Sequence, residues 1–332
     1  MRRNFLLIAG VAAILASCSK TETVERPETA GIRFDGAYIG YSTETRAFTE
    51  IDDLSEFWVY GQYTKDDAST VTVFSNDKVT EGSGENVWTY EGGQRPWING
   101  ATYTFAAYAP QGAVSAEGLN DKGYLTFTYT SDQNNQNDLL YAAHTQTGKT
   151  DGNESITLTF KHLLSNVRFT FKNGFDKTSE VNVSNIQVTG IATQATFTGS
   201  TTTGAGDENF GGNWDTATED GTFTLTNQSQ ISAAGSSDGI VVIPQSVGMV
   251  SVTFDVEVKD QNGQTIASKD KISVNLPNET TTAWAKGYRY NYVATITPES
   301  VDLEYIEFEE PTVDEWTPSE NDVELEIPVS EE

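Results

Sequence analysis

The chain has 332 residues, and its 48 acidic residues against 20 lysines and arginines give a formal net charge of −28. A charge of this size and sign repels phosphate backbones, which excludes nucleic acid as an expected partner. Aromatic residues make up 11% of the chain, which excludes wholesale disorder, and the length suits two domains better than one. A single cysteine cannot form an intrachain disulfide or a thiolate zinc site.

The N-terminus, residues 1–17, has the three parts of a secretory signal peptide. Arg2 and Arg3 precede an apolar run of eleven residues at 5–15, which is too short to span a membrane as a helix. Small residues then precede Cys18, and the stretch LASC resembles the lipobox of bacterial lipoproteins. This resemblance implies that the Cys18 thiol is acylated and that the chain is cut directly before it. The alternative is an ordinary signal peptide that happens to contain a cysteine.

A polar tether and one candidate strand follow the cysteine. Residues 18–30 contain Pro27 and no apolar period, which is typical of a flexible tether. Residues 31–46 open with the stretch IRFDGAYIGY, whose apolar positions predict a leading strand before a polar break.

From there on, the pattern is that of short β-strands. The segments EFWVYGQY, TYTFAAYAP, YLTFTYT, SITLTF and NVRFTFK each alternate with a period of two. In residues 250–259 every apolar residue is followed by a polar one, which is typical of an antiparallel strand with one face in water. Asn262-Gly263 in the turn after this strand is a strong hairpin signal. We therefore expect an all-β fold.

The spacing of the strands predicts the domain organisation. About fifteen short strands at intervals of about 8–12 residues favour β-sandwiches, and the chain length favours two of them in tandem. We place an N-terminal domain at residues 31–163 and a C-terminal domain at residues 164–300. An acidic C-terminal segment, residues 301–332, comes after them. Such a charge run is ordinarily a solvated tail.

Residues that could perform catalysis are few. The two histidines, His144 and His162, are the candidate acid–base groups near neutral pH. Neither an HExxH nor a CxxC motif is present. His162 has no second His or Cys nearby in the sequence, which favours a hydrogen-bonded structural role over a ligand role. We therefore expect no catalytic residue, no metal site, no cofactor and no enzymatic activity.

The six tryptophans give one alternative function. Exposed Trp and Tyr rings can stack on sugars, as in a surface lipoprotein that binds glycans without polymerising. Trp58, Trp88 and Trp97, however, lie within alternating β patterns, where an aromatic ring usually packs against its neighbours. Core packing is therefore favoured over a sugar platform.

Five segments in chain order carry a further signal. They are TRAFTEIDDLSEFWVYGQY, RPWINGATYTFAAYAP, LTFKHLLSNVRFTFKN, VVIPQ and TTAWAKGYRYNYVATI. Each is degenerate alone, but the ordered set resembles the fimbrillin family of Bacteroidales pili, in its Mfa-like branch. The resemblance covers about residues 30–316.

The resemblance implies two transthyretin-like antiparallel β-sandwich domains, export as a lipoprotein to the outer membrane, and assembly by strand donation. In the family, an Arg-specific protease cuts after an arginine that follows the first strand, and this position matches Arg46, with Ala47 as the new N-terminus. Loss of the leading strand opens a groove, which the extended C-terminal segment of a neighbouring subunit fills. Apart from the resemblance, Arg46 is an ordinary loop arginine.

The C-terminal segment has the pattern that a donor strand needs, because such a strand must be extended and apolar on one face. Acidic residues and Pro328 alternate with its apolar residues, and these also restrain unwanted edge pairing. The alternative is that the segment completes the sheet of the second domain. The apolar residues are Val323, Leu325, Ile327 and Val329.

Together these observations predict a non-enzymatic structural subunit of a cell-surface pilus, as stalk, anchor or tip. Its expected partners are other pilus subunits, of the same or a related kind, and the outer membrane through the lipid on Cys18. A host or bacterial surface ligand is a further expected partner. The expected location is the outer membrane and the fimbrium.

Overall fold

The computed structural model describes most of the chain between residues 31 and 315. Every element of regular structure named within the described residues is a β-strand, so the predicted all-β fold is confirmed. The described residues are 31–39, 54–65, 69–83, 87–114, 116–134, 136–149, 155–175, 178–200, 211–215, 219–231, 234–236, 239–277, 279–298 and 306–315.

Seven strands of the first half hydrogen-bond to one another in a closed ring. They are β1 (Phe34–Ile39), β2 (Glu56–Thr64), β3 (Thr70–Glu81), β4 (Trp88–Tyr90), β5 (Thr102–Ala109), β7 (Leu140–Thr147) and β8 (Ile156–His162). Their order around the ring is β1-β4-β3-β2-β5-β7-β8. Neighbours run antiparallel, except that β1 and β8 run parallel.

The ring encloses an apolar core. The alternation in the sequence explains it, because every second residue of a strand points to the same side. Residues at these positions in six of the seven strands form one buried cluster, and examples are Phe34, Phe57, Phe74, Phe105, Ala142 and Phe160.

The second half is built mainly from two facing sheets. One sheet has the order β11-β10-β17-β18, and three further strands, β6, β12 and β13, also pair with β10. The other has the order β14-β9-β20-β21, with β15 also paired to β9, and β16 and β19 form a separate pair. The strands are β6 (Thr126–Thr130), β9 (Ser165–Asn173), β10 (Glu180–Gly199), β11 (Gly212–Trp214), β12 (Glu219–Thr224), β13 (Gln228–Ile231), β14 (Ala234–Ser236), β15 (Ile240–Val242), β16 (Gln245–Ser246), β17 (Ser251–Lys259), β18 (Thr265–Asn275), β19 (Ala283–Trp284), β20 (Tyr288–Ile296) and β21 (Thr312–Glu315).

The two sheets pack as a β-sandwich. Their shared core contains Phe171 from β9, Val183 from β10, Phe254 from β17 and Tyr292 from β20. The hairpin predicted at Asn262-Gly263 joins β17 to β18, and Gly263 has the positive φ of 75° that such a turn requires. The sandwich prediction therefore holds in this half of the molecule.

The two halves are joined at strands whose faces are both buried. Phe57 and Val59 of β2 lie in the ring core, whereas Trp58 and Tyr60 on its other face lie in a further cluster with Phe197 of β10. The alternation predicts which residues share a face, but it does not show that a second layer covers the outer face. This junction cluster fixes the ring against the sandwich through apolar burial.

The predicted boundary between the domains falls where the chain leaves the ring. β8 ends at His162 and β9 begins at Ser165. One strand of residues 31–163, β6, pairs with β10 rather than with the ring. The division into residues 31–163 and 164–300, and the transthyretin-like character of each part, remain predictions.

Candidate functional site: the seat of the leading strand

The first described strand, β1, contributes side chains to the ring core. Phe34 is 2% exposed and Ala37 is 8% exposed, and Ile32, just before the strand, is 1% exposed. Burying a large apolar side chain contributes roughly 1.5–3 kcal/mol to stability. The leading strand is therefore part of the core rather than an addition to the surface.

Phe34 is the centre of an aromatic cluster. Its ring centroid lies 5.7 Å from that of Phe57 and 5.7 Å from that of Phe74, with both pairs edge-on. The rings of Tyr90 and Phe105 lie at 6.1 Å and 6.2 Å, also edge-on. This arrangement brings the positive ring edge onto the negative face and adds to the energy of burial. Phe34 thus connects β1 to four other strands, β2, β3, β4 and β5.

The two edges of β1 are unequally paired. On one side its register with β8 covers five residue pairs, from Phe34 with Ile156 to Ile39 with Phe160. On the other side the register with β4 is a single pair, Phe34 with Trp88. β8 is therefore the main backbone hydrogen-bonding partner of β1.

A surface groove runs along the weakly paired edge of β1. Its volume is about 570 Å³, and Ile32, Phe34, Trp88 and Tyr90 are among the residues that line it. The Tyr90 hydroxyl donates a hydrogen bond of 2.8 Å to the carbonyl of Ile32, which ties the start of the strand to β4. Burial is the main cause that raises the pKa of Tyr90, so this hydroxyl remains a donor at neutral pH.

Asp35 holds the outer face of β1 against β8. Its carboxylate accepts hydrogen bonds from the hydroxyls of Ser155 and Thr157, the second at 3.0 Å. Hydrogen bonds to an ionised acceptor are stronger than those between neutral groups. The slot that β1 occupies therefore has an apolar, aromatic inner wall and a polar anchoring point on its outer rim.

The other end of the described chain is held by a different set of contacts. Phe308 is 5% exposed, and its ring centroid lies 5.5 Å from that of Phe169 and 5.7 Å from that of Phe171 in the sandwich core. The Glu310 carboxylate accepts backbone hydrogen bonds from three consecutive residues at 3.0, 3.2 and 3.3 Å. Burial raises the pKa of Glu310, but the hydrogen bond from the Thr280 side chain and these backbone hydrogen bonds outweigh it, and the net pKa is lowered. The three donors are Glu279, Thr280 and Thr281.

β21 ends the described part of the chain. It pairs antiparallel with β20, from Tyr288 with Glu315 to Asn291 with Thr312. All four of its side chains are exposed. β21 therefore covers an edge of the sandwich without filling its core.

The residues predicted for lipidation, cleavage and donation all lie outside the described residues. This holds for Cys18, for Arg46 and Ala47, and for the four apolar donor residues Val323, Leu325, Ile327 and Val329. Their roles remain predictions. The described ends nevertheless lie close to them in sequence, at Ile39 before the cleavage position and at Glu315 before the donor residues.

The two histidines have structural surroundings. His162 is 2% exposed, and its Nδ1 lies 2.6 Å from a carboxylate oxygen of Asp138, so the predicted hydrogen bond is present. His144 Nε2 lies 2.8 Å from the amide oxygen of Gln146. The described residues contain no group of three or more His, Cys, Asp and Glu side chains placed to hold a metal ion. No helix in the described ranges is long and apolar enough to cross a membrane.

The tryptophans that the structure describes pack inward, as predicted for Trp58, Trp88 and Trp97. Trp58 is 4% exposed and Trp97 is 1% exposed, while Trp88 is partly buried against the ring core. Trp284 is 1% exposed, and Trp214 is partly buried in the junction cluster. Each Trp side chain that the structure describes is therefore buried or partly buried against a hydrophobic cluster, which favours core packing.

Lys161 is a buried charge that sequence reasoning missed. It lies on β8, the strand that pairs with β1, and it is 1% exposed. Burial lowers its pKa to about 7, and the carboxylate of Glu315 opposes this shift. In the sequence Lys161 sits between Phe160 and His162 in an alternating strand, which gives no sign that its side chain is covered.

The fold and the site define a class: an all-β protein in which the first described strand completes a closed sheet. The family model described as fimbrillin-like matches residues 45–316. This match covers most of the chain, which therefore belongs to the fimbrillin-like family of pilus-related proteins.

Two solved structures illustrate the relationship. The chain is similar to a fimbrial protein from Bacteroides vulgatus, with 16% identity, a TM-score of 0.56, and coverage of 86% of this chain and 100% of that one. It is also similar to the fimbrial anchor protein Mfa2 from Porphyromonas gingivalis, with 11% identity, a TM-score of 0.40, and coverage of 86% and 97%. At 16% identity, the likeness to the Bacteroides vulgatus protein shows a shared fold and no more. No curated protein matches the chain.

Proposed function

We propose that this protein is a structural, non-enzymatic subunit of a cell-surface pilus, exported as a lipoprotein through Cys18 and assembled by β-strand donation after cleavage at Arg46. The supporting observation is the position of β1. It is the first described strand, it supplies Phe34 to the ring core, and it ends at Ile39, seven residues before Arg46. Cleavage there would detach a piece of the core from the rest of the chain.

The vacated slot suits an incoming strand. β8 would expose an unpaired edge, and the aromatic cluster around the position of Phe34 would be left without its central ring. An extended segment that restores both the backbone ladder and the apolar anchors is the simplest way to close the slot. The segment that contains Val323, Leu325, Ile327 and Val329 has the alternation required.

The donor must also reach another subunit. Seventeen residues, 316–332, come after the described part of the chain. An extended segment spans at most about 3.3–3.6 Å per residue, so this length reaches roughly 55–60 Å. That is enough for the C-terminal end of one subunit to enter the slot of the next. An uncut subunit would instead keep β1 and the lipid on Cys18, as an anchor would.

Two experiments test this proposal: identification of the N-terminal residue of the surface protein, and a C-terminal truncation. Mass spectrometry of protein taken from the cell surface is expected to find an N-terminus at Ala47 in polymerised subunits. A chain that lacks residues 320–332 is expected to fold but to form no ladder of SDS-resistant oligomers after cleavage, because it lacks the donor. A truncated chain that still forms the ladder would show that these residues are not the donor.

A further inference from the structure

The leading strand is an imperfect partner for β8. Phe34 pairs with Ile156 and Gly36 pairs with Thr157, so β1 advances two residues where β8 advances one. Asp35 is the extra residue, and such a bulge disrupts the ladder locally. At this step the carboxylate of Asp35 bonds to the hydroxyls of Ser155 and Thr157, one on either side of the inward-facing Ile156.

The edge of β8 itself is regular. Ile156, Leu158 and Phe160 are each 0% exposed, whereas Thr157 between the first two is exposed. A partner strand that alternates without a bulge would therefore match this edge better than β1 does. The sequence VELEIPV at residues 323–329 alternates strictly between apolar residues and residues that are acidic or proline.

We propose that Ser155 and Thr157 form a carboxylate-binding step in the slot, which receives Glu326 from the C-terminal segment of a second copy of this chain after Asp35 has left. The inference rests on the proposed strand donation and adds the register of the incoming strand. In this register Leu325 takes the place of Phe34 in the aromatic cluster. Glu326 then follows it on the outer face, as Asp35 follows Phe34.

Charge explains why such a step is needed. Each chain has a formal net charge of −28, so an acidic strand approaches an acidic subunit against repulsion. The hydroxyls of Ser155 and Thr157 offer a carboxylate a favourable place on the outer rim of the slot, where they hold Asp35. A hydrogen bond to a charged group favours this register over the two-residue shift that puts Pro328 at the step, whereas the opposite shift brings Glu324 there and puts Val323 instead of Leu325 among the aromatic rings.

The experiment compares two acids of the same segment. Residues 19–332, which lack the predicted signal peptide and Cys18, are produced without a lipid and cut with an Arg-specific protease. The initial rate at which SDS-resistant oligomers form is then measured. Glu326→Ala is expected to lower this rate by about tenfold, since losing a charge-assisted hydrogen bond costs about that factor. Glu324→Ala removes the same charge two residues earlier and is the matched control, with an expected change of less than about twofold.

A second variant connects the acid to its site. In a chain that carries Thr157→Val and Ser155→Ala, the further change Glu326→Ala is expected to have little effect, because the bond is already absent. Equal effects of Glu326→Ala and Glu324→Ala, or an undiminished effect of Glu326→Ala in the hydroxyl-free chain, would overturn the carboxylate step. The absence of any ladder from the unsubstituted cut chain would overturn strand donation as well.

Discussion

β1 and β21 are the terminal strands of the described chain, and they are held by different forces. The Phe34 side chain of β1 packs among four aromatic side chains in the core of the closed sheet, so the contacts that hold β1 are mainly apolar. β21 has four exposed side chains. The contacts that fix the C-terminal end precede this strand, at Phe308 and Glu310. One terminal strand fills a core, and the other covers an edge.

This difference bears on how each end could be exchanged. Removing β1 would uncover apolar rings and an edge of β8, and this exposure lowers stability unless another strand takes its place. Removing the described residues after Glu310 would uncover an edge of β20, and none of these residues belongs to the sandwich core. A subunit that gives up its first strand and extends its last segment would use each end in the way that its contacts allow.

The largest expected effect on stability comes from shortening Phe34, the side chain through which β1 packs into the core. Phe34→Ala in the uncut chain is expected to lower the free energy of unfolding by about 3–5 kcal/mol, because it removes a buried ring and leaves a cavity. Urea unfolding followed by tryptophan fluorescence measures the change. Val313→Ala on β21 is the control, since Val313 is 43% exposed, and it should cost less than about 0.5 kcal/mol. Similar losses in the two variants would contradict the contrast between the two strands.

The next effect concerns Lys161, which connects the two regions. Lys161 lies on β8, which pairs with β1, and the charge of Glu315 at the end of β21 acts to raise its pKa. Burial lowers its pKa from 10.5 to about 7, so between these values the unfolded chain binds more protons than the folded one. The free energy of unfolding therefore rises with pH through this window, by ~2 kcal/mol from pH 7 to pH 9. Below about pH 7 the lysine is protonated in both states, and the contribution to the slope vanishes.

The variant Lys161→Met tests the origin of that slope. It removes the titrating group, so the rise in stability between pH 7 and pH 9 should be absent, and the protein should be more stable than the unsubstituted chain at pH 7. Lys172→Met is the control, because Lys172 is exposed on β9 and should leave the slope unchanged. An unaltered slope in Lys161→Met would show that another group titrates in this range.

The parts of the fold that the sequence predicts are those where one face of a strand meets water. In residues 250–259 the alternation gives strand, face and hairpin together, because polar residues mark the wet side. In β2 and β5 the same period of two is present, but both faces are buried. A periodic pattern cannot show which other strands cover an outer apolar face, and this information lies in contacts distant in sequence.

The same distinction between predicted and unpredicted features applies to the candidate site. The leading strand and its apolar anchors are predicted from the period of Ile32 and Phe34. The bulge at Asp35, the hydroxyls that bind it and the burial of Lys161 are not predicted, since each depends on where β8 lies relative to another element. These polar contacts arise from strand pairing across the fold, and a local pattern carries no signal for them.

The smallest expected effect tests the hold on the C-terminal end. Glu310→Gln keeps the shape of the side chain but removes the charge that three backbone N–H groups stabilise, and should cost about 1–2 kcal/mol at pH 7. The pKa of Glu310 is lowered in the folded state, so its contribution is present above the carboxyl's unfolded pKa and is lost as pH falls through the folded pKa. The difference in unfolding midpoint between Glu310→Gln and the unsubstituted chain should therefore shrink in acid. Glu309→Gln, one residue away on an exposed side chain, should show neither effect, and a matching loss there would mean that general charge, rather than the three hydrogen bonds, stabilises this end.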